Sequence, residues 1–286
     1  MPLDYDKLMG CRRETSQRYT ARDTMLYALG VGAGIDADTP DKLRFVYEEK
    51  LDALPTMSVV LATPGFWLRE PQFGIVWQKV LHAEQSVVMH APLAVCGEVV
   101  SVLTVDAIYD KGSQVGAILY TCRRLWDKTS GNLLATLRQA AFLRGDGGAG
   151  GLTTGSPKPH PIPKGRPADL TIKLATRCEQ ALLYRLSGDY NPLHADPDVA
   201  RLGGFSRPIL HGLATYGVVG RALLGAVCGN RAARLRRLDA RFSSAVYPGE
   251  DITTEIWREG NGRASFRALV SARDAVVINH GYAEYE

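Results

Sequence analysis

This chain spells part of itself twice, and that restricts its fold more than any other feature. Leu26-Tyr27-Ala28-Leu29 returns 157 positions later as Leu183-Tyr184-Arg185-Leu186. Cys96-Gly97-Glu98 has a counterpart in Pro248-Gly249-Glu250, and each opens a strand-like run of alternating apolar residues. Both runs reach a turn, Asp110-Lys111-Gly112-Ser113 in the first and Glu259-Gly260-Asn261-Gly262 in the second, before more strand begins. Between the copies, the stretch from Gly147 to Pro167 is rich in Gly, Pro, Ser and Lys and cannot hold regular structure. The spacing predicts an N-terminal unit over 1–147, a linker over 148–167 and a C-terminal unit over 168–286.

Each unit offers a mostly apolar helix and several strands, the pattern of an α+β layer in which an antiparallel sheet wraps a helix. In the second unit the helix is expected over 213–228, where Arg221 is the one charge. Apolar character all round marks a buried helix, and this one is too short and interrupted for a membrane span. Strands are expected near 234–244, 251–258, 263–272 and 275–284.

The chemistry-bearing stretch is Leu186-Ser187-Gly188-Asp189-Tyr190-Asn191-Pro192-Leu193-His194. Proline disfavours helix for the residue before it, so Asn191 is expected to be extended, folding Asp189 and His194 toward one small space. A carboxylate and an imidazole there can share a water or a substrate proton. The same residues in isolation fit a surface Asx-turn leading into a helix better than they fit a site. The downstream residues favour chemistry. A short helix closed by Gly203-Gly204 leads to Phe205-Ser206-Arg207-Pro208-Ile209-Leu210-His211-Gly212-Leu213. This puts Gly212 at the start of the apolar helix, where unpaired N–H groups favour a developing oxyanion.

Tyr184-x-Leu186-Ser187-Gly188-Asp189-x-Asn191-Pro192-Leu193-His194 and the downstream Gly204-Phe205-x-Arg207-Pro208-Ile209-Leu210-His211-Gly212-Leu213 together resemble the hydratase 2 / MaoC-like family, which contains (R)-specific 2-enoyl-CoA hydratases. The resemblance implies a double hot-dog fold, two copies of a long central helix each wrapped by antiparallel sheet. It implies reversible hydration of trans-2-enoyl-CoA to (3R)-3-hydroxyacyl-CoA, with Asp189, His194, Asn191 and Gly212 as the catalytic set. The carrier is then an acyl-CoA substrate, with no separate cofactor. Val80-Leu81-His82-Ala83-Glu84-Gln85 resembles a family run whose His-Gly pair touches CoA, with Ala83 here in place of the glycine. Lys111 matches a family lysine that contacts CoA, Phe242 a family substrate contact, and Arg207 joins the substrate-binding set. Under the 157-residue offset Gly32 stands where Asp189 does, and no histidine stands five positions on. The first unit is therefore expected to bind acyl-CoA and not to react, and the stretch from Asp36 to Leu54 to be irregular.

The other histidines carry less. His211 is expected to cap or orient the helix start, His160 to be solvated in the linker, and His90 and His280 to be packed or surface residues. None makes a zinc pattern, so no metal is expected. A formal charge of +4 with interleaved acids is too mild for nucleic acid but sufficient for the phosphates of one small molecule. Five dispersed cysteines, no apolar leader and a terminus of Ala283-Glu284-Tyr285-Glu286 point to a cytoplasmic protein, either a homodimer or a pseudo-dimeric monomer. Rival readings are a dehydratase of 3-hydroxyacyl-ACP or of a specialised acyl-CoA, a thioesterase, and a non-catalytic acyl-CoA-binding protein.

Overall fold

A computed structural model describes residues 2–35 and 38–286. The first half supplies β1 (Arg12–Tyr19), β2 (Val80–Met89), β3 (Gly97–Asp110), β4 (Ala117–Asp127) and β5 (Leu133–Leu143). The second supplies β6 (Leu170–Leu174), β7 (Leu235–Phe242), β8 (Ile252–Gly260), β9 (Arg263–Val270) and β10 (Ala275–Tyr285), the last four close to their expected spans. All ten join one antiparallel sheet in the order β1-β3-β4-β5-β2-β7-β10-β9-β8-β6. Read from either edge inward, the order is the same if β6 to β10 replace β1 to β5, so the halves are two copies of one five-stranded unit. They meet where β2 pairs with β7, with Glu84 opposite Arg241.

Those two residues are 157 positions apart and form an ion pair. Tyr27 and Tyr184, again 157 positions apart, bring their ring centroids within 6.0 Å. Equivalent residues of two copies touch each other only near the axis that relates the copies. The repeat spacing in the sequence is thus visible as contacts along a pseudo-two-fold.

The helices break the symmetry. α1 (Tyr5–Met9) and α2 (Ala21–Gly30) lie in the first half, α2 opened by a Thr20–Asp23 capping box, followed by the single turn α3 (Pro40–Leu43). The second half holds α4 (Gln180–Tyr184), α5 (Pro197–Leu202) and the 16-residue α6 (Gly212–Val227), buried along most of its length. Because α2 packs on α4 and carries its equivalent residues, the place of the start of α6 is taken in the first half by the short 3-10 stretch Pro55–Val59. Among the described residues a long central helix therefore occurs once and not twice. Pro40, Pro55, Pro64 and Pro71 explain why: each lacks a backbone donor and fixes φ, so no long helix can cross this segment. The expected irregular stretch holds from residue 38 onward, apart from the single turn of α3, while Asp36 and Ala37 fall outside the described residues. The result is still a double hot-dog, one half with its full helix and the other with a stub.

The stub is tightly built in. Residues 53–62 are all buried, and Arg123 on β4 donates to the carbonyls of Leu61, Ser58 and Val59. One apolar core then runs through both halves, with Tyr27, Leu54, Met57 and Val87 joined to Tyr216, Val219, Leu223 and Leu238. Outside the sheet, the connection from β5 to β6 has no helix or strand of its own beyond one bridge at Leu152 to Tyr109. His160 within it is not solvated as expected. Its Nε2 lies 2.8 Å from Glu259, its ring packs on Tyr282, and its carbonyl accepts from His280, which ties the connection to β8 and β10.

Candidate active site

The loop after α4 folds back for local reasons. Gly188 takes a left-handed φ of 117°, and Asn191 is extended at φ −56°, ψ 122°, as its proline neighbour requires. The Asn191 side chain accepts from the Leu193 N–H at 3.1 Å and so caps the 3-10 turn Pro192–His194. The Asn191 N–H in turn donates to the Asp189 carboxylate at 3.2 Å. Asp189 and His194 are drawn together by this turn, as the Asn-Pro step predicts.

The protonation pattern comes from which atoms the imidazoles face. His194 Nδ1 lies 2.9 Å from the Ile209 carbonyl, which can only accept, so Nδ1 carries the hydrogen and Nε2 keeps a lone pair. His211 Nε2 faces the Asp189 carbonyl at 3.1 Å, and His82 Nε2 the Glu84 carbonyl at 3.0 Å, so each keeps its lone pair on Nδ1. Burial holds all three rings neutral. It lowers His194 below the ordinary imidazole range, takes His82 down to about 4, and takes His211 down to about 3 with help from neighbouring His194.

His82 reaches this space through an irregularity in its strand. Gln85, Val87 and Met89 of β2 are buried toward the helices, and strict alternation would put His82 on the opposite face with Glu84 and Ser86. The register slips between His82 and Glu84, leaving Ala83 as an extra residue, and this bulge turns His82 inward. Its ring stands edge-on to Phe242 at 4.8 Å. Phe242 in turn covers Gly212, where a Cβ would meet the ring at 3.4 to 3.6 Å. As the first residue of α6, Gly212 has an N–H with no acceptor inside the helix. A carboxylate, an imidazole, a helix N-terminus and a histidine from the other half thus gather in one place.

Residues 161–279 match the MaoC like domain, and residues 17–145 match the MFE-2 hydratase 2 N-terminal domain. The chain is 42% identical over 292 residues to 3-hydroxyacyl-thioester dehydratase Y of Mycobacterium tuberculosis, covering 100% of this chain and 99% of that one. It belongs to the MaoC-like / hydratase 2 family. Arabidopsis thaliana enoyl-CoA hydratase 2, peroxisomal, is 37% identical, with 95% of this chain and 91% of the relative covered. A solved MaoC-like dehydratase from Phytophthora capsici superposes with a TM-score of 0.86 at 35% identity, over 99% of both chains.

Two of the substrate contacts expected from the MaoC-like / hydratase 2 family stand differently from the rest. The Lys111 ammonium sits over the Tyr109 ring at 5.6 Å, on the β3–β4 turn that Asp110 pins to Gly148 and Gly150. The exposed Arg207 guanidinium lies over Tyr247 at 5.1 Å. For His211 the sequence suggests only a cap or guide at the helix start. Its ring in fact stacks on His194, centroids 3.7 Å apart and planes 28° apart, and packs on Tyr184 at 4.9 Å. The His-Gly dipeptide at the helix start is its one trace in sequence, and nothing local reports the stack.

Asp189, His194 and His211 place one ligand atom each within 4.8 Å, a group that a metal ion could use. The stack argues against it. An ion at roughly 2.0–2.1 Å from nitrogens of two nearly parallel rings would sit far out of both ring planes, away from the lone pairs. No helix among the described residues is long and apolar enough to cross a membrane.

Proposed function

We propose that this chain catalyses reversible hydration of a trans-2-enoyl-CoA to a (3R)-3-hydroxyacyl-CoA. It is a hydro-lyase of the enoyl-CoA hydratase 2 / hydroxyacyl-thioester dehydratase type. One observation carries the reading: a carboxylate and a neutral imidazole with a free Nε2 lone pair share the space in front of a helix N-terminus. In the proposed reaction the thioester oxygen accepts from the Gly212 N–H, drawing electron density from the C2–C3 double bond. A water held by Asp189 and His194 adds its oxygen at C3 while a proton reaches C2, so the elements of one water are gained and nothing is released. Asn191 supports the pair through its N–H to Asp189. His82, Ala83 and Phe242 form the wall from the first half and β7, and we assign Lys111 and Arg207 to the phosphates of the carrier. The first half then serves acyl-CoA binding and the second the chemistry. We keep the cytoplasmic address as part of the proposal, with either a homodimer or a single pseudo-dimeric chain.

The test is a spectrophotometric hydration assay on crotonyl-CoA and longer enoyl-CoAs, with chiral analysis of the product. Asp189→Asn and His194→Gln are each expected to lose about a hundredfold to ten-thousandfold in kcat while keeping the wild-type circular dichroism spectrum. Full turnover by either variant would end the assignment, and release of free CoA in place of hydration would identify a thioesterase. A dehydratase acting on acyl-ACP uses the same residues in the reverse direction. The Mycobacterium tuberculosis relative named as a hydroxyacyl-thioester dehydratase motivates that second reading, and comparing ACP and CoA carriers separates the two.

A further inference from the structure

We propose that His211 is a positioning residue for this site, holding Asp189 by a hydrogen bond and His194 by a stack. The proposal rests on the hydration reading for what is positioned, but its geometry stands independently. His211 is 1% exposed, and its ring covers one face of His194 at 3.7 Å. Its Nε2–H meets the main-chain carbonyl of Asp189 at 3.1 Å, which restrains the residue whose carboxylate must face His194. Its own backbone is the N-cap of α6, one residue before the Gly212 N–H. A single side chain therefore links the Asp189–His194 loop, through the Asp189 main chain and the His194 ring, to the N-terminus of α6, which comes from a separate segment. Its Nδ1 is buried and has no hydrogen-bond partner among the described residues. A buried lone pair left unpaired is costly, and core packing alone would be served better by an apolar ring. The histidine is explained by its Nε2 donor.

The two contacts can be separated by substitution. His211→Phe keeps a ring against His194 and loses the N–H to Asp189. His211→Gln places an amide N–H near the position of Nε2 and loses the ring. If the hydrogen bond positions Asp189, the Phe variant loses roughly tenfold to a hundredfold in kcat with little change in KM, because misplacement of a reacting group acts on the chemical step. The Gln variant recovers most of that loss.

If the stack shields His194, its titration responds to the ring and not to the donor. The groups facing His194 and His211 are Asp189, the neutral His82 across the site, Tyr184 from α4, and Arg185 beside His211. All of these stay in both variants. Nitrogen-15 NMR of labelled protein, read across pH, should find His194 unchanged in the Phe variant and shifted up toward the ordinary imidazole value in the Gln variant. A role confined to packing would lower stability without this division of effects.

Wild-type kcat in a folded Phe variant, together with an unmoved His194 titration in the Gln variant, overturns the proposal. The NMR arm needs no turnover. A wild-type protein that fails to hydrate any enoyl thioester while the His194 shift appears as stated would sink the hydration reading and leave the positioning role standing.

Discussion

At the scale of single residues, the site is a set of neutral imidazoles whose tautomers are fixed by backbone carbonyls. That arrangement has a thermodynamic consequence away from catalysis. In the unfolded chain a histidine takes up its proton near pH 6.5, whereas folded His211 resists protonation down to about 3. Between those limits the unfolded state binds more protons, so stability rises with pH. The contribution is complete above about pH 6.5 and is lost progressively as pH falls toward 3, at up to about 1.4 kcal/mol per pH unit for one such group. His82 and His194 add to the same slope, since burial lowers both. The melting temperature should therefore fall steeply from pH 6.5 to pH 4, and less steeply in His211→Phe, which removes one titrating group. Identical slopes for the two proteins would show that His211 is not held neutral.

At the scale of elements, α6 shows how tertiary contacts override helix propensity. Glycine costs a helix about 1 kcal/mol relative to alanine, yet α6 carries several. At Gly217 a Cβ would lie 2.4 Å from Val31 Cγ1 and 3.1 Å from the Tyr27 hydroxyl. At Gly225 it would meet nothing nearer than the Asn230 side chain at 3.6 Å. The two alanine substitutions should thus have opposite signs. Gly217→Ala is expected to lower stability by about 1–3 kcal/mol through overpacking, and Gly225→Ala to raise it by roughly 0.5–1 kcal/mol through propensity. Urea denaturation of both variants measures this, and a stabilising Gly217→Ala would refute the close approach of α2 to α6.

The same contrast separates what was legible in the sequence from what was not. The fold-back at Asn191-Pro192, the apolar helix and the strands of the second half are encoded by neighbours in sequence, and pattern finds them. The Ala83 bulge shows only in the pairing of β2 with β5, so no alternation rule predicts that His82 turns inward. The 3-10 stub at Pro55–Val59 could have been suspected from Pro55 and the nearby Pro64, but its equivalence to α6 needs the sheet order. The stacking of His211 on His194 joins two segments that meet only when the fold closes.

At the scale of the whole molecule, the pseudo-two-fold explains why one chain holds both copies. The second half owns Asp189, His194 and Gly212, but His82 comes from β2, across the β2–β7 junction from the rest. That junction is a strand pairing, reinforced by Glu84 with Arg241 and by Ser86 with Asp239 at 2.6 Å. Splitting it would expose two bare strand edges, a common route to aggregation. It would also strip the glycine face of α6 of Val31 and Thr56. Residues 168–286 expressed alone should consequently be insoluble or unfolded, as should residues 1–147. Co-expression of the two segments should recover soluble protein and hydration activity, because the interface closes without the covalent linker. The measurement is solubility, circular dichroism and turnover of each segment alone and of the pair. A soluble, fully active 168–286 segment would mean that His82 and the first half contribute nothing to the reaction, and that the second copy carries the site by itself.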